Sequence, residues 1–279
     1  ARSTRPDFRA RLTVNYEAIG SGTIAQAHIV TLDEGRPTEE TMIIKVKRPG
    51  LEDPVRREMA MFEEVEKSAF AEKLIHDVRA TLEREMNLGT EAVEINAAQK
   101  VYNQGRVSVP PVVTAIVPSD SLVAISFVRG RTIDRVNVKL DEVTAALDPR
   151  KHTVNRSVAR HYVANLLAAQ AEALYELTQL WFREAVFESG FFHGDLHSGN
   201  VFLALDEDKT AFERRFTGNH RVTVIDFGSS GQFSRKQQQG VVEYAVGVAR
   251  GRTGEVLDGL VKTGTIVKSD RAALRDTVE

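Results

Sequence analysis

Two short motifs in the second half of the chain hold residue types that suit phosphoryl transfer. The segment HGDLHSGN contains Asp195 and, five positions later, Asn200, and the segment IDFG contains Asp226. An aspartate can orient a hydroxyl proton, while an asparagine and a second aspartate can hold the Mg²⁺ that bridges phosphates. Mg²⁺ needs hard oxygen ligands that converge on one point. We expect Asp195 to orient the attacking group and Asn200 and Asp226 to bind the metal.

Each motif alone is also typical of a simple turn rich in glycine and aspartate. Both motifs occur in this order, each beside an apolar strand, which favours a site. His193 and His197 flank Asp195 in the pattern H-x-D-x-H, so hydrolysis at zinc is an alternative. We favour a packing role for His193, in which it supports the backbone of Asp195.

A glycine-containing loop, IGSGTIAQAH, lies near the start of the chain, with Ala25 where a third glycine would stand. Glycines let backbone N–H groups approach phosphate oxygens. Taken alone, the loop is the turn of a β-hairpin. Its place directly upstream of a strand lysine favours a phosphate loop. The residues predicted to bind nucleotide are Gly20, Ser21, Gly22, Thr23, Ala25 and Lys45.

Lys45 lies in MIIKVK, a short apolar run that RPG ends, and this pattern predicts a strand. A buried ammonium needs a partner, because alone it would lose its proton or destabilise the strand. Glu91 shares one predicted helical face with the apolar residues Leu88 and Ile95, and a buried carboxylate needs a cation. Glu85 is the rival partner. We favour Glu91.

The strands predicted around these residues come in three groups. Residues 12–32 alternate apolar and polar side chains around the glycine loop, which indicates strand, loop and strand. Residues 107–117 and 121–128 indicate two extended segments. The catalytic motifs indicate a hairpin whose unusually long polar tip lies around 206–220.

Residues 53–102 are charged and poor in breakers, which predicts two or more helices. Apolar residues at spacings of three and four over 158–180 predict a long core helix that ends near Gly190. The predicted fold class is α+β with two lobes. We expect an N-lobe over 1–130 and a mostly helical C-lobe over 131–279.

The composition excludes several classes of function. The chain has 279 residues, 42% of them hydrophobic, and a net charge of −2, so there is no direct nucleic-acid signal. It has no cysteine, which excludes disulfides, thiolate zinc sites and a cysteine nucleophile. The apolar stretch from Tyr162 to Trp181 is interrupted by polar residues, so we expect no membrane span. The arginine-rich start is compatible with the edge of a transit peptide or with an arbitrary beginning.

The motifs IGSGTIAQAH, IIKVKRPG, EMNLGTEA, GFFHGDLHSGNVFL and VIDFG follow one another in this order. Together they resemble the UbiB/ADCK (aarF-domain-containing, ABC1-type) family of atypical kinase-like proteins, from about Tyr16 to the end. The H-R-D and A-P-E segments of ordinary protein kinases are absent. The resemblance implies a bilobal protein-kinase-like fold with a small β-rich N-lobe, family-specific helices and a mainly helical C-lobe.

The resemblance also implies roles for single residues. Lys45 matches the ATP-phosphate lysine, Glu91 its ion-pair glutamate and Asp195 the catalytic aspartate, while Asn200 and Asp226 match the Mg²⁺ ligands. It implies binding of ATP or ADP with Mg²⁺, and an atypical kinase or ATPase that supports ubiquinone or other prenyl-lipid metabolism. The implied partners are a lipid or membrane surface and a larger protein assembly. The implied place is the matrix side of the inner mitochondrial membrane, with the bacterial cytoplasm or plastids as alternatives.

The chain departs from the family pattern in three places. Asn87 stands where the E-x-D motif that begins at Glu85 would have its aspartate. The loop has Gly20, Ser21 and Gly22 instead of an alanine-rich run, which is closer to the ADCK-two-like branch. The K-x-G-Q segment and the last helices of the family are not in the sequence, as expected for a fragment. A non-catalytic scaffold and a true protein or small-molecule kinase remain alternative functions.

Overall fold

The protein is described by a computed structural model, and the description covers most of the chain. The described residues are 11–65, 75, 78–80, 82–146, 156–205 and 220–278. Backbone contacts divide the chain into two compact units, Ala1–Ala169 with Asp195–Ser229, and Gln170–Gly194 with Ser230–Glu279. The predicted lobe boundary at Gly130 lies inside the first unit, and it stays a prediction.

The secondary structure begins with four strands, and helices and shorter strands follow along the rest of the described chain. The strands are β1 (Leu12–Val14), β2 (Gly20–Ser21), β3 (Ala25–Leu32), β4 (Glu40–Lys47), β5 (Val107–Ser108), β6 (Leu122–Ser126), β7 (Arg131–Thr132), β8 (Phe191–His193), β9 (Val201–Leu205), β10 (His220–Val224) and β11 (Ser230–Gln232). The α-helices with defined bounds are α1 (Glu52–Val65), α2 (Leu88–Tyr102), α3 (Ile133–Ala146), α4 (Arg156–Phe182), α5 (Arg235–Arg250), α6 (Thr253–Thr263) and α7 (Arg271–Val278). Residues 78–80 and 82–85 are also helical.

The first sheet carries the predicted lysine strand. Its order is β1-β3-β4-β6, with β2 beside β3, and all neighbours are antiparallel. Met42 and Ile44 join Val30 and Ala124 in a hydrophobic core on one face. Because side chains alternate along a strand, Lys45 lies on the other face. The sheet thus presents Lys45 on the face opposite this apolar core, and Lys47 follows on the same face.

Helix α2 begins at a side-chain cap and buries one face against the first sheet. Asn87 Oδ1 accepts hydrogen bonds from the backbone N–H groups of Gly89 (3.0 Å) and Thr90 (3.3 Å). Such a cap stabilises a helix by about 1 kcal/mol. The buried face consists of Leu88, Glu91, Ala92, Ile95, Ala98 and Tyr102. This is the face that the 3.6-residue period predicts, and it includes Glu91.

The second sheet has the order β5-β10-β9-β7, and its strand β9 begins directly after the HGDLHSGN segment. Strands β9 and β10 form the predicted antiparallel hairpin, and Val201 pairs with Val224. The predicted tip lies outside the described residues except for His220. The extended segment predicted at 107–117 contributes only the short β5 and a bridge between Val112 and Ile125. Two adjacent prolines between them have no N–H group to donate to a sheet.

The second unit is mainly helical and includes the part of α4 from Gln170 onward, while the start of α4 belongs to the first unit. Helix α4 runs into a π-helical turn, Arg183–Phe187, and β8 pairs antiparallel with β11. Helices α5 and α6 pack so closely that a Cβ on Gly259 would lie 2.5 Å from the backbone nitrogen of Tyr244. The predicted core face of α4 is buried at Leu166, Ala169, Ala173, Leu177 and Leu180. None of the described helices combines the length and apolar composition needed to cross a bilayer.

Candidate functional site

The Lys45 ammonium lies between two carboxylates that come from distant parts of the chain. Lys45 Nζ donates to Glu91 Oε1 at 2.5 Å and to Asp226 Oδ1 at 2.7 Å. The side chains of Lys45 and Glu91 are 15% and 5% exposed, whereas that of Asp226 is 46% exposed. The structure therefore places Glu91 beside the lysine, and Glu85 elsewhere. Asp226 is the member of the group that faces solvent.

Burial and charge act in opposite directions on this group. Burial alone lowers the pKa of Lys45, but the carboxylates of Glu91 and Asp226 outweigh it and raise the pKa above its ordinary value. Burial, together with the nearby Asp226 charge, raises the pKa of Glu91, and Lys45 lowers it in part. The ammonium is therefore firmly protonated at neutral pH.

Asp226 and Asn200 are neighbours because the two strands of the β9–β10 hairpin end together. The backbone N–H of Ile225 donates to the carbonyl oxygen of Asn200 at 3.0 Å. Asp226 follows with a φ of 66°, a left-handed conformation that is uncommon for residues other than glycine. Such conformations cluster at functional sites, where the surrounding structure maintains them.

The catalytic motif forms a tight turn that fixes Asn200 relative to Asp195. Asn200 is 5% exposed, and its Nδ2 donates to the carbonyl oxygen of Asp195 at 3.0 Å. This bond leaves the amide oxygen Oδ1 for a ligand. The carboxylate of Asp195 is 60% exposed, with His197 Nε2 at 3.7 Å from its Oδ2. A substrate hydroxyl or water can therefore reach Asp195 from solvent.

The glycine loop is a hairpin turn between β2 and β3. Gly22 N donates to the carbonyl oxygen of Ala25 at 3.0 Å, and Gly20 pairs with Ala27. Gly20, Ser21 and Gly22 are all exposed, and Ala25 is half-buried. An added Cβ at Gly20 or Gly22 would meet only ordinary contacts, at 3.7 and 3.6 Å. These glycines leave the turn open to a ligand, and the fold itself does not require them.

Arg48, which is not among the residues predicted to bind nucleotide, connects this loop to the lysine strand. Its backbone N–H donates to the carbonyl oxygen of Ile24 at 2.8 Å. Its side chain donates through Nε to the carbonyl oxygen of Gly22 at 3.0 Å and through Nη2 to Ser21 Oγ. The signal was present in KVKRPG, where an arginine follows three positions after Lys45. Arg48 thus holds the loop at three atoms.

Comparison with known proteins identifies the group to which this arrangement belongs. The ABC1 atypical kinase-like domain family matches residues 12–258, which is most of the chain. The chain belongs to this family. The match and the mixed helix and strand content confirm the predicted α+β, kinase-like fold.

Similar curated proteins come from bacteria. An uncharacterized protein of Synechocystis is 25% identical over 253 residues, which cover 84% of this chain and 52% of that protein. A protein of Xanthomonas campestris named probable protein kinase UbiB is 26% identical over 238 residues, or 81% of this chain and 37% of that protein. The chain thus spans about half or less of the length of these relatives.

A solved structure supports the fold. The Rv3197–erythromycin complex from Mycobacterium tuberculosis aligns with a TM-score of 0.54 at 20% identity, and it covers 97% of this chain and 61% of that chain. At this identity the likeness concerns the fold alone. The likeness to the ADCK-two-like branch stays a prediction.

The two residues at the E-x-D motif of this ABC1 domain, Glu85 and Asn87, have different structural roles. Ser229 Oγ, two residues after the phenylalanine of the DFG motif, donates to Glu85 Oε1 at 2.7 Å. Asn87 caps α2, a task that asparagine and aspartate perform about equally well. Replacement of the family aspartate by Asn87 therefore keeps the helix cap.

The two histidines occupy structural positions. His193 is 3% exposed on β8, and its carbonyl oxygen accepts from Trp181 Nε1 at 3.2 Å. His197 Nδ1 accepts from the backbone N–H of Gly199 at 3.0 Å. No cluster of three or more His, Cys, Asp or Glu side chains suited to a metal occurs among the described residues. The zinc alternative thus gains no support.

The residues present fit Mg²⁺ with a nucleotide. Asn200 Oδ1 and the half-exposed carboxylate of Asp226 are hard oxygen donors at the neighbouring ends of strands β9 and β10. Mg²⁺ commonly takes one or two protein carboxylates or amides and completes its shell with water and phosphate oxygens. When bound, the metal would supply positive charge to the phosphates. Lys45 would supply a second cation on the same side.

Proposed function

We propose that this ABC1 domain binds ATP or ADP with Mg²⁺ and acts as an atypical kinase or ATPase. The observation that carries the proposal is the double contact of Lys45 with Glu91 and Asp226. A buried strand lysine fixed by one buried carboxylate and joined to a second, exposed carboxylate suits a phosphate site beside a metal. A lysine with only a structural role would need no exposed acid as its second partner.

The remaining residues have separate roles in this proposal. Lys45 and the loop Gly20–Ala25 contact the phosphates, and Asn200 and Asp226 bind Mg²⁺. Asp195 orients the attacking hydroxyl or water, and its exposed carboxylate suits contact with an incoming acceptor. Catalysis then consists mainly of positioning and of neutralising the charge on the transferred group.

We extend the proposal to ubiquinone or other prenyl-lipid metabolism. Support comes from the relatives named probable protein kinase UbiB and from the family resemblance. A lipid or membrane surface and a larger protein assembly are the partners proposed with it. The matrix side of the inner mitochondrial membrane stays a prediction from the resemblance, and so do the bacterial cytoplasm and plastids.

Thermal unfolding with nucleotide, with and without Mg²⁺, tests the binding step. A ligand that binds only the folded protein at one hundred times its Kd adds about 2.7 kcal/mol, which raises the Tm by about 5–10 °C for a chain of this size. We expect this rise with ATP plus Mg²⁺ and a smaller one with ATP alone. Asp226→Asn should remove the additional rise in Tm that Mg²⁺ produces. Asp141→Asn, a control at an exposed position on a helix, should keep that rise.

Turnover distinguishes an enzyme from a scaffold. Phosphate release from ATP should be lost in Asp195→Asn, which should still bind nucleotide. If the wild-type chain binds ATP with Mg²⁺ but neither releases phosphate nor transfers it to any acceptor, the scaffold alternative is correct. If millimolar ATP with Mg²⁺ produces no shift at all, the nucleotide site itself is wrong.

A further inference from the structure

A large cavity lies within the first unit, away from the Lys45 group. Its volume is about 1480 Å³, and its described walls come from the end of α2 and the loop to Pro111, from residues 126–131, and from parts of α3, α4, β9 and β10. Lys45, Glu91 and Asp226 do not line it. The cavity is therefore separate from the proposed nucleotide and metal site.

The charged side chains of the cavity wall are all basic. Arg129, Arg131, Lys139 and Arg221 line it, and no aspartate or glutamate does so among its described lining residues. The chain as a whole carries slightly more acidic than basic residues, 39 against 37. The positive charge of this wall is therefore a local feature of the chain, and it attracts anions.

Three of the four basic side chains in this wall are exposed arginines. Arg129, Arg131 and Arg221 are exposed, and none of them forms an ion pair with another described residue. Lys139 differs, because its Nζ lies 2.9 Å from Glu142 Oε2 in an exposed pair. Guanidinium groups present several N–H donors in a planar fork that matches phosphate oxygens.

The backbone holds two of these arginines in place. Arg131 begins β7 and pairs with Leu203 of β9. Gly130 has a φ of 114°, and a Cβ there would lie 2.6 Å from the carbonyl oxygen of Leu203. The backbone at Gly130 thus lies directly against β9, which fixes the backbone positions of Arg129 and Arg131.

The rest of the wall combines apolar and polar surface. Phe127, which is 40% exposed, and the exposed Pro111 line it, and the Ser108 and Thr223 hydroxyls hydrogen-bond to each other at 3.0 Å. Apolar surface that remains accessible in a concave site favours a ligand with an apolar part. The combination of basic and apolar walls selects for a ligand that has both kinds of group.

We propose that this cavity binds an organic phosphate monoester with an apolar body. The cluster of arginines favours a dianion over a single carboxylate, and Phe127 and Pro111 would contact the apolar body. The ligand is either a free phosphate ester or the headgroup of a lipid such as phosphatidic acid. The inference does not rest on the proposed nucleotide site.

Calorimetric titration of the whole chain with three matched probes tests this site. 1-Naphthyl phosphate carries both groups, 1-naphthol lacks the phosphate, and inorganic phosphate lacks the rings. We expect naphthyl phosphate to bind at least tenfold more tightly than either of the other two. Arg131→Gln and Arg221→Gln should each weaken it about tenfold, as expected for the loss of one charged hydrogen bond. Arg57→Gln, an exposed arginine on α1 outside the cavity, should leave it unchanged.

Competition and vesicle binding complete the test. Saturating ATP with Mg²⁺ should not displace naphthyl phosphate, and Lys45→Met should still bind it. Pelleting with phosphatidic acid vesicles but not with phosphatidylcholine vesicles, lost in Arg131→Gln, would assign the lipid source. Binding of the soluble ester without pelleting would assign a free ester. Displacement by ATP, equal affinity for the three probes, or equal weakening by Arg57→Gln would overturn the proposal.

Discussion

Replacement of Lys45 by methionine should destabilise the protein in a way that depends strongly on pH. Methionine fits an apolar strand, so the main loss is the cation that faces Glu91 at 2.5 Å. Glu91 is only 5% exposed and would remain as a buried carboxylate without that partner. It must then either stay charged in an apolar place or take up a proton.

Typical free energies show which of these two outcomes for Glu91 costs less. An unpaired buried charge costs roughly 3–5 kcal/mol. Taking up a proton at pH 7 costs at most about 3.7 kcal/mol for a carboxyl with an ordinary pKa near 4.3, and about 1 kcal/mol at pH 5. Protonation of Glu91 therefore limits the loss of stability in the variant. The folded variant binds more protons than the unfolded chain in this range, so its stability rises as the pH falls.

Urea unfolding of the wild type and of Lys45→Met at pH 7 and pH 5 measures this effect. Burial already raises the pKa of Glu91 in the wild type, so part of the pH dependence is shared. We expect the stability difference to be about 3 kcal/mol at pH 7 and to shrink by about 2 kcal/mol at pH 5. An equal stability difference at pH 7 and pH 5 would refute the reasoning.

Two controls isolate the cause. The double variant Lys45→Met with Glu91→Gln should lose the pH dependence of the difference, because no carboxyl remains there to take up a proton. Lys139→Met breaks an exposed pair with Glu142, whose side chains are 39% and 60% exposed. It should change stability by less than about 1 kcal/mol at either pH.

Three further predictions concern Arg48, Gly130 and Asn87. Arg48→Gln should weaken ATP binding about tenfold in a fluorescence titration while the Tm without ligand changes by only a few degrees, because the loss falls on the exposed loop. Gly130→Ala should cost about 2–3 kcal/mol in urea unfolding because its Cβ meets Leu203, whereas Gly105→Ala, with no atom within 4 Å, should cost only about 1 kcal/mol for its left-handed backbone. Asn87→Ala should cost about 1 kcal/mol and Asn87→Asp almost nothing, as measured by the same method.

The features that local pattern determines were predictable from the sequence. The choice of Glu91 over Glu85 rested on the 3.6-residue period that groups Glu91 with Leu88 and Ile95, and the helix buries that face. The strand around Lys45 followed from a short apolar run between polar segments. In each case the information lies within one or two turns of helix or one strand, so no knowledge of the fold was needed.

Contacts between distant segments were not predictable in the same way. Lys45 and Asp226 are 181 positions apart, and their direct contact depends on how two sheets approach each other. The role of Arg48 depends on the register of β3 against β4, which places the loop beside the strand end. The strand that begins at Val107 is short because Pro110 and Pro111 have no N–H groups to donate to a sheet.

The contacts of Lys45 with two carboxylates affect whether a nucleotide would bind free or as its Mg²⁺ complex. One ammonium and two carboxylates leave the Lys45 group with an excess of negative charge, and the exposed Asp195 adds to it. A bare triphosphate, itself a polyanion, would be repelled from such a place, whereas its magnesium complex carries two fewer negative charges and offers a cation to Asp226. The proposed site would therefore bind the chelate more tightly than the free nucleotide.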